Sequence, residues 1–243
     1  MKNTPWLSVC APAYNEENIV EDVVRHWASV LRSSGRSFEI LIANDGSQDN
    51  TGQVLANLRA EVPELQVVSF ERNCGYGRAL RAAVQESTGE YVLTIDSDGQ
   101  FDVSDYLPLS VAAEQARAAV VTGYRIAKQD RVSRVVGDRI FNLLVRSMFG
   151  VRLRDTNCAI KWLRGDVARS LNIESAGFMA PTEILLKAQA LGHNVIEVPV
   201  KHYARSGGAS KLPMWRTSVD FLTFVVYLWL KIKLYRSAKL IEF

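Results

Sequence analysis

The sequence predicts an α/β fold, a doubly wound and mostly parallel sheet with helices packed on it, from three observations. Short apolar runs suited to buried strands alternate with helical patterns of about ten to fifteen residues. Several of the runs stop abruptly at polar clusters, and in such sheets ligands bind beyond the carboxyl ends of the strands. At 243 residues the chain can bury a substantial core, as one large domain or one domain plus an appendage.

Leu7 to Ala11 is the first strand run, ended by Pro12 and followed by Ala13-Tyr14-Asn15-Glu16-Glu17. Ile19, Val20, Val23, Val24, Trp27, Val30 and Leu31 then recur at helical spacing, with Asn15 as the expected cap and Gly35 as the stop. Phe38 to Ala43 is the second strand and terminates in Asn44-Asp45-Gly46-Ser47. Val54, Leu55 and Leu58 mark the next helix, Gln66 to Phe70 a third strand, and Gly75 to Ser87 a helix leading through Gly89 into Tyr91-Val92-Leu93-Thr94-Ile95. This last run ends in Asp96-Ser97-Asp98-Gly99-Gln100, where Gly99 permits a sharp turn.

Side chains of extended chain repeat every two residues, so Asp96 and Asp98 are expected to point the same way. Two carboxylates held that close repel strongly unless a cation lies between them, and hard oxygen ligands suit Mg²⁺ or Mn²⁺. A solvated turn is the alternative for any one of these clusters. Three of them at parallel strand ends favour a shared site. Gly75-Tyr76-Gly77, with Arg78 and Arg81, lacks both the full dinucleotide fingerprint and the P-loop lysine. It reads as a helix N-terminus under the site with Arg78 as a candidate diphosphate contact, solvated arginines being the alternative.

The net charge of +3 is unevenly spread. Residues 201–243 hold eight Lys or Arg against Asp220 and Glu242, a net +6, which leaves −3 for residues 1–200. Such a tail suits an anionic surface. Cys10, Cys74 and Cys158 are odd in number and lack metal spacing, which argues against a disulfide framework or zinc site and for a reducing compartment. Pro5 and Pro12 flank an apolar stretch that reads as a strand rather than a signal peptide.

Taken in order, Pro12-Ala13-Tyr14-Asn15-Glu16, Asn44-Asp45-Gly46-Ser47, Asn73-Cys74-Gly75-Tyr76-Gly77 and Asp96-Ser97-Asp98-Gly99-Gln100 resemble the motifs of inverting family 2 glycosyltransferases of the GT-A fold. The resemblance is nearest to polyprenyl-phosphate (dolichyl-phosphate) mannosyl- and glucosyltransferases and spans roughly residues 6–211. It implies transfer of a sugar from a nucleotide-diphosphate sugar, of the GDP-mannose or UDP-glucose type, to a polyprenyl phosphate. It further implies that Pro12, Tyr14 and Glu16 hold base and ribose and that Asp45 contacts the base, with Ser47 beside it. Asp96, Asp98 and Gln100 would ligate or surround a divalent cation, Mg²⁺ or Mn²⁺, that neutralises the donor diphosphate.

After the strand Ala118 to Thr122 the chain turns basic: Arg125, Lys128, Arg131, Arg134, Arg139, Arg146, Arg152 and Arg154 face only Asp130 and Asp138. A solvated helix face accounts for most of them, but guanidinium forks bind phosphate oxygens in pairs. Arg125, Arg131, Arg134 and Arg139 are the candidate acceptor-phosphate ligands. Asp138 stands where the family often has a small hydroxyl residue. Asp155-Thr156-Asn157-Cys158-Ala159-Ile160-Lys161 resembles the family's Asp-Thr-x-Cys-Gly-Phe-Lys stretch, in which the Asp is general base when the acceptor is a hydroxyl. A phosphate monoester has its second pKa near 6, so it arrives anionic and scarcely needs a base. Asp155 is therefore expected to position the sugar or a cationic neighbour, and Asp98, Asp155 and Arg125 are the expected catalytic residues.

Phe178 to Glu183 leads into an apolar helix to Leu191, stopped by Gly192, and Val195 to Val200 is another strand. Arg205-Ser206-Gly207-Gly208-Ala209-Ser210-Lys211 resembles the family's Arg-x-Gly-x-Ser-Lys loop, which implies that Arg205 and Lys211 neutralise diphosphate or acceptor phosphate. His193 and His202 read as structural. The domain expectation is residues 1–211 for the transferase and 212–243 for an amphipathic helical tail. Phe221 to Leu230 falls short of the roughly 20 apolar residues a spanning helix needs. An interfacial helix fits, with Trp215, Tyr227, Trp229 and Tyr235 at headgroup depth, and a core helix or oligomer contact is the alternative.

The expected setting is peripheral, on the cytoplasmic face of a membrane, with a membrane-protein partner subunit or homo-oligomer in view and no nucleic acid. Two other functions stay open at this stage. One is transfer to a glycan or lipid hydroxyl with Asp155 as base. The other is a non-catalytic nucleotide-sugar-binding or membrane-scaffold subunit, for which an uncompensated Asp pair has no use.

Overall fold

The computed structural model describes residues 4–126, 132–204 and 214–238, and at 132–134, 214–220 and 236–238 the backbone alone. Its elements are β1 (Leu7–Ala13), α1 (Val20–Ser33), β2 (Phe38–Asn44), α2 (Thr51–Leu58), β3 (Leu65–Ser69), α3 (Tyr76–Glu86), β4 (Tyr91–Thr94), α4 (Tyr106–Ala116), β5 (Val120–Arg125), α5 (Val132–Phe149), β6 (Lys161–Arg164), α6 (Gly165–Ser170), α7 (Ala180–Ala190), β7 (Val195–Val200) and α8 (Met214–Ala238).

The seven strands lie in the order β3-β2-β1-β4-β6-β5-β7. All pairs are parallel except those of β6, which runs antiparallel to both β4 and β5. The sheet is thus mostly parallel, as expected, with an inserted antiparallel strand that periodicity does not reveal. β6 is four residues long and begins with a lysine, so it carries no apolar run to announce itself.

Alternate strand residues supply two cores. Leu7, Val9, Ala11, Ile40, Ile42 and Leu93 join Val20, Val24 and Trp27 of α1, Leu55 of α2 and Leu109 of α4. Cys10, Leu41, Ala43, Val92 and Leu163 join Leu80, Ala83 and Val84 of α3 with Ile184 and Leu185 of α7. This two-sided burial is why the strands read as continuous apolar runs.

Asn15 is not the cap of α1. That helix begins after Ile19, and Asn15 takes a left-handed backbone, φ 53°, in the turn before it. β1 also runs on through Pro12. Its pairing with β4 ends at Cys10, and the Pro12 carbonyl is met by the Ser97 hydroxyl at 2.8 Å, so no ladder partner loses a donor there.

α8 is seated on the domain through a third cluster. Val225, Leu228 and Ile232 pack with Val145 of α5 and Met179 and Leu186 near α7. The Trp229 indole donates to the Met148 carbonyl at 2.9 Å and the Tyr227 hydroxyl to Glu174 at 2.5 Å. The polar tips of these two aromatics are therefore engaged within the protein, unlike the headgroup placement expected for them. Among the described residues no helix is long and apolar enough to cross a membrane.

Candidate active site at the carboxyl edge of the sheet

Because β1 and β2 pair in register from Leu7↔Phe38 to Ala13↔Asn44, their polar ends emerge side by side. Hydrogen bonds then lace the two loops together. The Asn15 amide donates to Ser47 Oγ at 2.9 Å, the Gln48 amide to Asn15 Oδ1 at 2.7 Å, and the Glu16 amide to Thr51 Oγ1 at 2.8 Å. Pro12, Tyr14, Glu16, Asp45 and Ser47 thus share one stretch of edge. Asp45 is only 2% exposed, and its two oxygens accept the Cys74 and Gly75 amides at 2.7 and 2.9 Å. Its visible work is to hold the turn that starts α3. Arg78 lies exposed in the first turn of that helix.

The β4 end is held by its neighbours too. The Ile95 amide donates to the Cys10 carbonyl, 3.1 Å, which carries the sheet line past the end of β4 toward Asp96. Asp98 is 7% exposed and accepts the Gln100 amide at 3.1 Å across the turn at Gly99, φ 73°. Asp96 accepts the Tyr76 hydroxyl at 2.8 Å. Desolvation, then the nearby Asp96 charge, holds the Tyr76 phenol well above its usual pKa, so it remains a donor. Gln100 exchanges bonds with Tyr203: its side-chain amide reaches the Tyr203 carbonyl at 3.3 Å, and the Tyr203 amide returns to the Gln100 carbonyl at 2.9 Å.

Whether the carboxylate pair suits a cation is a question of donor chemistry. Among the described residues no group of three His, Cys, Asp or Glu forms a complete protein cage. A pair of hard carboxylates is nonetheless what Mg²⁺ or Mn²⁺ takes when substrate phosphates and water supply the remaining positions. The residues fit that group.

β4 and β5 both pair antiparallel with β6, so their carboxyl ends face the same edge, two strand spacings or about 10 Å apart. At the β5 end, Arg125 Nε and Nη2 grip the two oxygens of Asp155 at 2.7 and 2.9 Å, and Nη2 also reaches Asp138 of α5 at 2.9 Å. Asp155 is 2% exposed. Burial alone would lower the arginine pKa, but the bonds to Asp155 outweigh it and raise the value above the ordinary one. Asp138, the departure from the family pattern, is thus the second carboxylate on one guanidinium.

Beside this fork lies a cleft of about 390 Å³ whose lining includes Arg125, Arg139, Arg146, Arg154, Asn142 and Asp155. Arg154 also stacks over Tyr124 at 4.7 Å and pairs with Glu197 at 3.2 Å. Asn142 fixes the adjoining loop by accepting the Thr156 amide and hydroxyl at 2.8 and 2.9 Å. Between the two halves sits Lys161 of β6, wholly buried and bonded to the Cys158 carbonyl. Burial lowers its pKa to about 8, with the surrounding acidic groups opposing that shift.

The structure therefore gathers Pro12, Tyr14, Glu16, Asp45, Ser47, Asp96 and Asp98 along one edge and Arg125, Arg139 and Asp155 around the neighbouring cleft. Arg134 lies in α5 with its side chain outside the described residues, and Arg131, Arg205 and Lys211 fall outside them altogether. Residue reasoning assigned no role to Tyr76, Lys161, Arg146 or Arg154. A signal existed for Arg146. Val135, Arg139, Asn142 and Arg146 follow one another at i, i+4, i+7 and i+11, the single face of a helix that lines the cleft. For Tyr76 no local pattern exists, since its partner Asp96 is 20 residues away.

Two curated relatives are the undecaprenyl-phosphate 4-deoxy-4-formamido-L-arabinose transferases of Edwardsiella ictaluri, 29% identical over 86% of this chain, and of Klebsiella pneumoniae, 28% identical over 86%. The chain spans 64% and 63% of their respective lengths. Among solved structures, glucosyl-3-phosphoglycerate synthase from Mycobacterium tuberculosis, in complex with Mn²⁺, UDP and glucosyl-3-phosphoglycerate, superposes with a TM-score of 0.67 at 20% identity. That match covers 95% of this chain and 81% of the synthase. Its likeness establishes the GT-A fold. The model of glycosyl transferase family 2 matches residues 8–167, which holds both the carboxylate pair and the Arg125–Asp155 fork, and the chain belongs to that family.

Proposed function

We propose that the protein transfers a sugar, with inversion, from a nucleotide-diphosphate sugar to a polyprenyl phosphate at a membrane surface. One observation carries this reading: a carboxylate pair suited to a cation and an arginine-lined cleft stand on the same sheet edge, beyond the ends of two strands separated only by β6. The first suits a diphosphate and the second a phosphate monoester, which is what donor and acceptor of such a transfer present. The names of the two curated relatives, both transferases onto undecaprenyl phosphate, support the acceptor class.

In this scheme Pro12, Tyr14, Glu16, Asp45 and Ser47 hold the nucleoside end, Asp45 chiefly by shaping the Cys74–Gly75 turn. Asp96 and Asp98 hold Mg²⁺ or Mn²⁺, and Gln100 keeps the turn beside them. The bound cation supplies charge neutralisation of the departing diphosphate. Arg78, Arg205 and Lys211 are assigned to the same diphosphate. Arg125 and Arg139, joined by Arg146 and Arg154, receive the acceptor phosphate, and Arg131 and Arg134 are assigned to its approach. One phosphate oxygen then attacks the anomeric carbon as the bond to the diphosphate oxygen breaks. Since the phosphate is already anionic near pH 7, the rate gain comes from alignment and fixed charge rather than proton removal. Asp155, with both oxygens on Arg125, orients that guanidinium.

The membrane role is assigned to α5 and α8, which together leave Val136, Ile140, Leu143, Leu222, Val226, Leu230 and Leu234 exposed. Peripheral attachment on the cytoplasmic side, alone or beside a membrane-protein partner, is assigned with the support of that face and of the basic tail. The deciding experiment incubates the protein with radiolabelled GDP-mannose, UDP-glucose and related donors, polyprenyl phosphate, and Mg²⁺ or Mn²⁺. Lipid-extractable label is expected with one donor and is lost with EDTA. If no donor labels the lipid while a glycan or lipid alcohol is labelled, the hydroxyl-acceptor reading replaces this one.

A further inference from the structure

We propose that Tyr76 is a positioning residue for the cation-binding carboxylate Asp96, and that helix α8 sets its position through a salt-bridge hub at Glu174. This rests on the assignment of Asp96 to a divalent cation made above. The contacts form one unbroken line. On α8, Lys231 Nζ and the Tyr227 hydroxyl each lie 2.5 Å from Glu174, one on each carboxylate oxygen. Lys187 of α7 reaches Glu174 as well, at 2.7 Å, and pairs with Glu183 at 2.6 Å. Glu183 in turn accepts the Glu174 and Ser175 amides at 2.8 and 2.9 Å, which fixes the segment that follows α6.

That segment bears directly on the start of α3. The Gly77 amide donates to the Ala176 carbonyl at 3.0 Å, and a side chain at Gly75 or Gly77 would collide with the Ala176 or Ser175 carbonyl. Backbone here touches backbone, so a shift of residues 174–178 has no slack to absorb it. Phe178, at the end of the same segment, stacks on Tyr76 with ring centroids 5.0 Å apart, and the Tyr76 hydroxyl bonds Asp96. A partner of this kind orients a metal-binding carboxylate, and its loss typically costs ten- to a hundredfold in metal affinity.

Apart from Asp96 itself, no side chain in this line has a substrate-binding role in the scheme above, so its consequence is a setting of the cation site by the seating of α8. If α8 rests on a membrane, as proposed, docking and cation affinity are linked.

The test is Mn²⁺ titration of the full chain, with and without UDP and with and without GDP, followed by the EPR signal of free Mn²⁺, with thermal unfolding recorded for each variant. Tyr76→Phe removes one hydroxyl and keeps the ring on Phe178. It is expected to weaken Mn²⁺ binding about tenfold or more without lowering the unfolding temperature appreciably. The double variant Tyr227→Phe/Lys231→Met cuts α8 from Glu174 but leaves the Lys187–Glu183 pair, and it is expected to weaken Mn²⁺ several-fold. Combined with Tyr76→Phe it should add little, because both act through one hydroxyl.

Full additivity, or unchanged Mn²⁺ affinity in the α8 double variant, overturns the link to α8. Unchanged affinity in Tyr76→Phe overturns the positioning role. Asp96→Asn separates these failures from that of the cation assignment itself: if it too leaves Mn²⁺ binding unaltered, the assignment is wrong.

Discussion

At the scale of single residues, the fork between Arg125, Asp155 and Asp138 is the most informative contact, because it separates two chemistries for Asp155. A general base must be free to take a proton, whereas here both carboxylate oxygens are on a guanidinium. Asp155→Asn should lower kcat/KM about ten- to a hundredfold, the worth of hydrogen bonds to a charged group, while the acid limb of the pH profile near 6, belonging to the acceptor phosphate, persists. Disappearance of that limb would reinstate Asp155 as base. Arg125→Lys should cost about as much, since an ammonium cannot reproduce a planar fork over two carboxylates.

Away from the site, Asp105 has a buried oxygen without a hydrogen-bond partner among the described residues. Burial, then repulsion from Asp102, raises its pKa from 3.8 to about 6. A carboxyl with a raised folded pKa favours folding while protonated, and that contribution is lost as the pH climbs from about 4 through 6. Asp105→Asn should therefore raise the melting temperature at pH 7.5 relative to the parent and lose that advantage by pH 4. An equal gain at both pH values would contradict the ionisation account.

At the scale of elements, the strand ends were legible in the sequence because a parallel sheet forces chemistry onto its carboxyl edge. An apolar run that stops at Asp96-Ser97-Asp98 or Asn44-Asp45 is visible without coordinates. β6 was not, because four residues beginning with a buried lysine have neither alternation nor an apolar run, and their pairing with β4 and β5 is a tertiary fact. The left-handed Asn15 and the Arg146 face of α5 escaped for related reasons. One looks like a helix cap, and the other lay inside a charge run read as solvated surface.

α8 shows both sides of the same limit. Its apolar content was plain, but the division into a seated face and an outward face depends on what α5 and α7 offer. Val225, Leu228 and Ile232 are buried, whereas Leu222, Val226, Leu230 and Leu234 repeat every fourth residue in the open. Leu222→Ser/Leu230→Ser should thus abolish salt-sensitive cosedimentation with anionic vesicles and leave the melting temperature nearly unchanged, while Leu228→Ala should cost about 2–5 kcal/mol of stability. Undiminished vesicle binding by the double serine variant would remove this face from the membrane proposal.

At the scale of the whole molecule, the two halves of the site are brought together by strand order rather than by sequence proximity. Asp96 and Arg125 come to one edge because β4 and β5 both pair antiparallel with β6, and Lys161 lies buried in the interval. A rigid sheet carrying one cation site and one phosphate site has a simple thermodynamic signature. Ligands that bind only the folded chain raise its stability by mass action, about 2.7 kcal/mol at a concentration one hundred times Kd. At about 2–4 °C per kcal/mol for a chain of this size, that is a rise of roughly 5–10 °C.

Nucleoside diphosphate and Mn²⁺ should each give less than this alone and the full shift only together, because the diphosphate completes the coordination that two carboxylates leave open. Running UDP and GDP in parallel identifies the base by whichever produces the rise. Asp98→Ala should lose the Mn²⁺-dependent part while its ligand-free melting temperature stays nearly level, because relief of repulsion between neighbouring carboxylates offsets the lost bond to the Gln100 amide. A ligand-free loss of several degrees would instead make Asp98 a structural residue, and an undiminished Mn²⁺ shift in the variant would move the cation elsewhere.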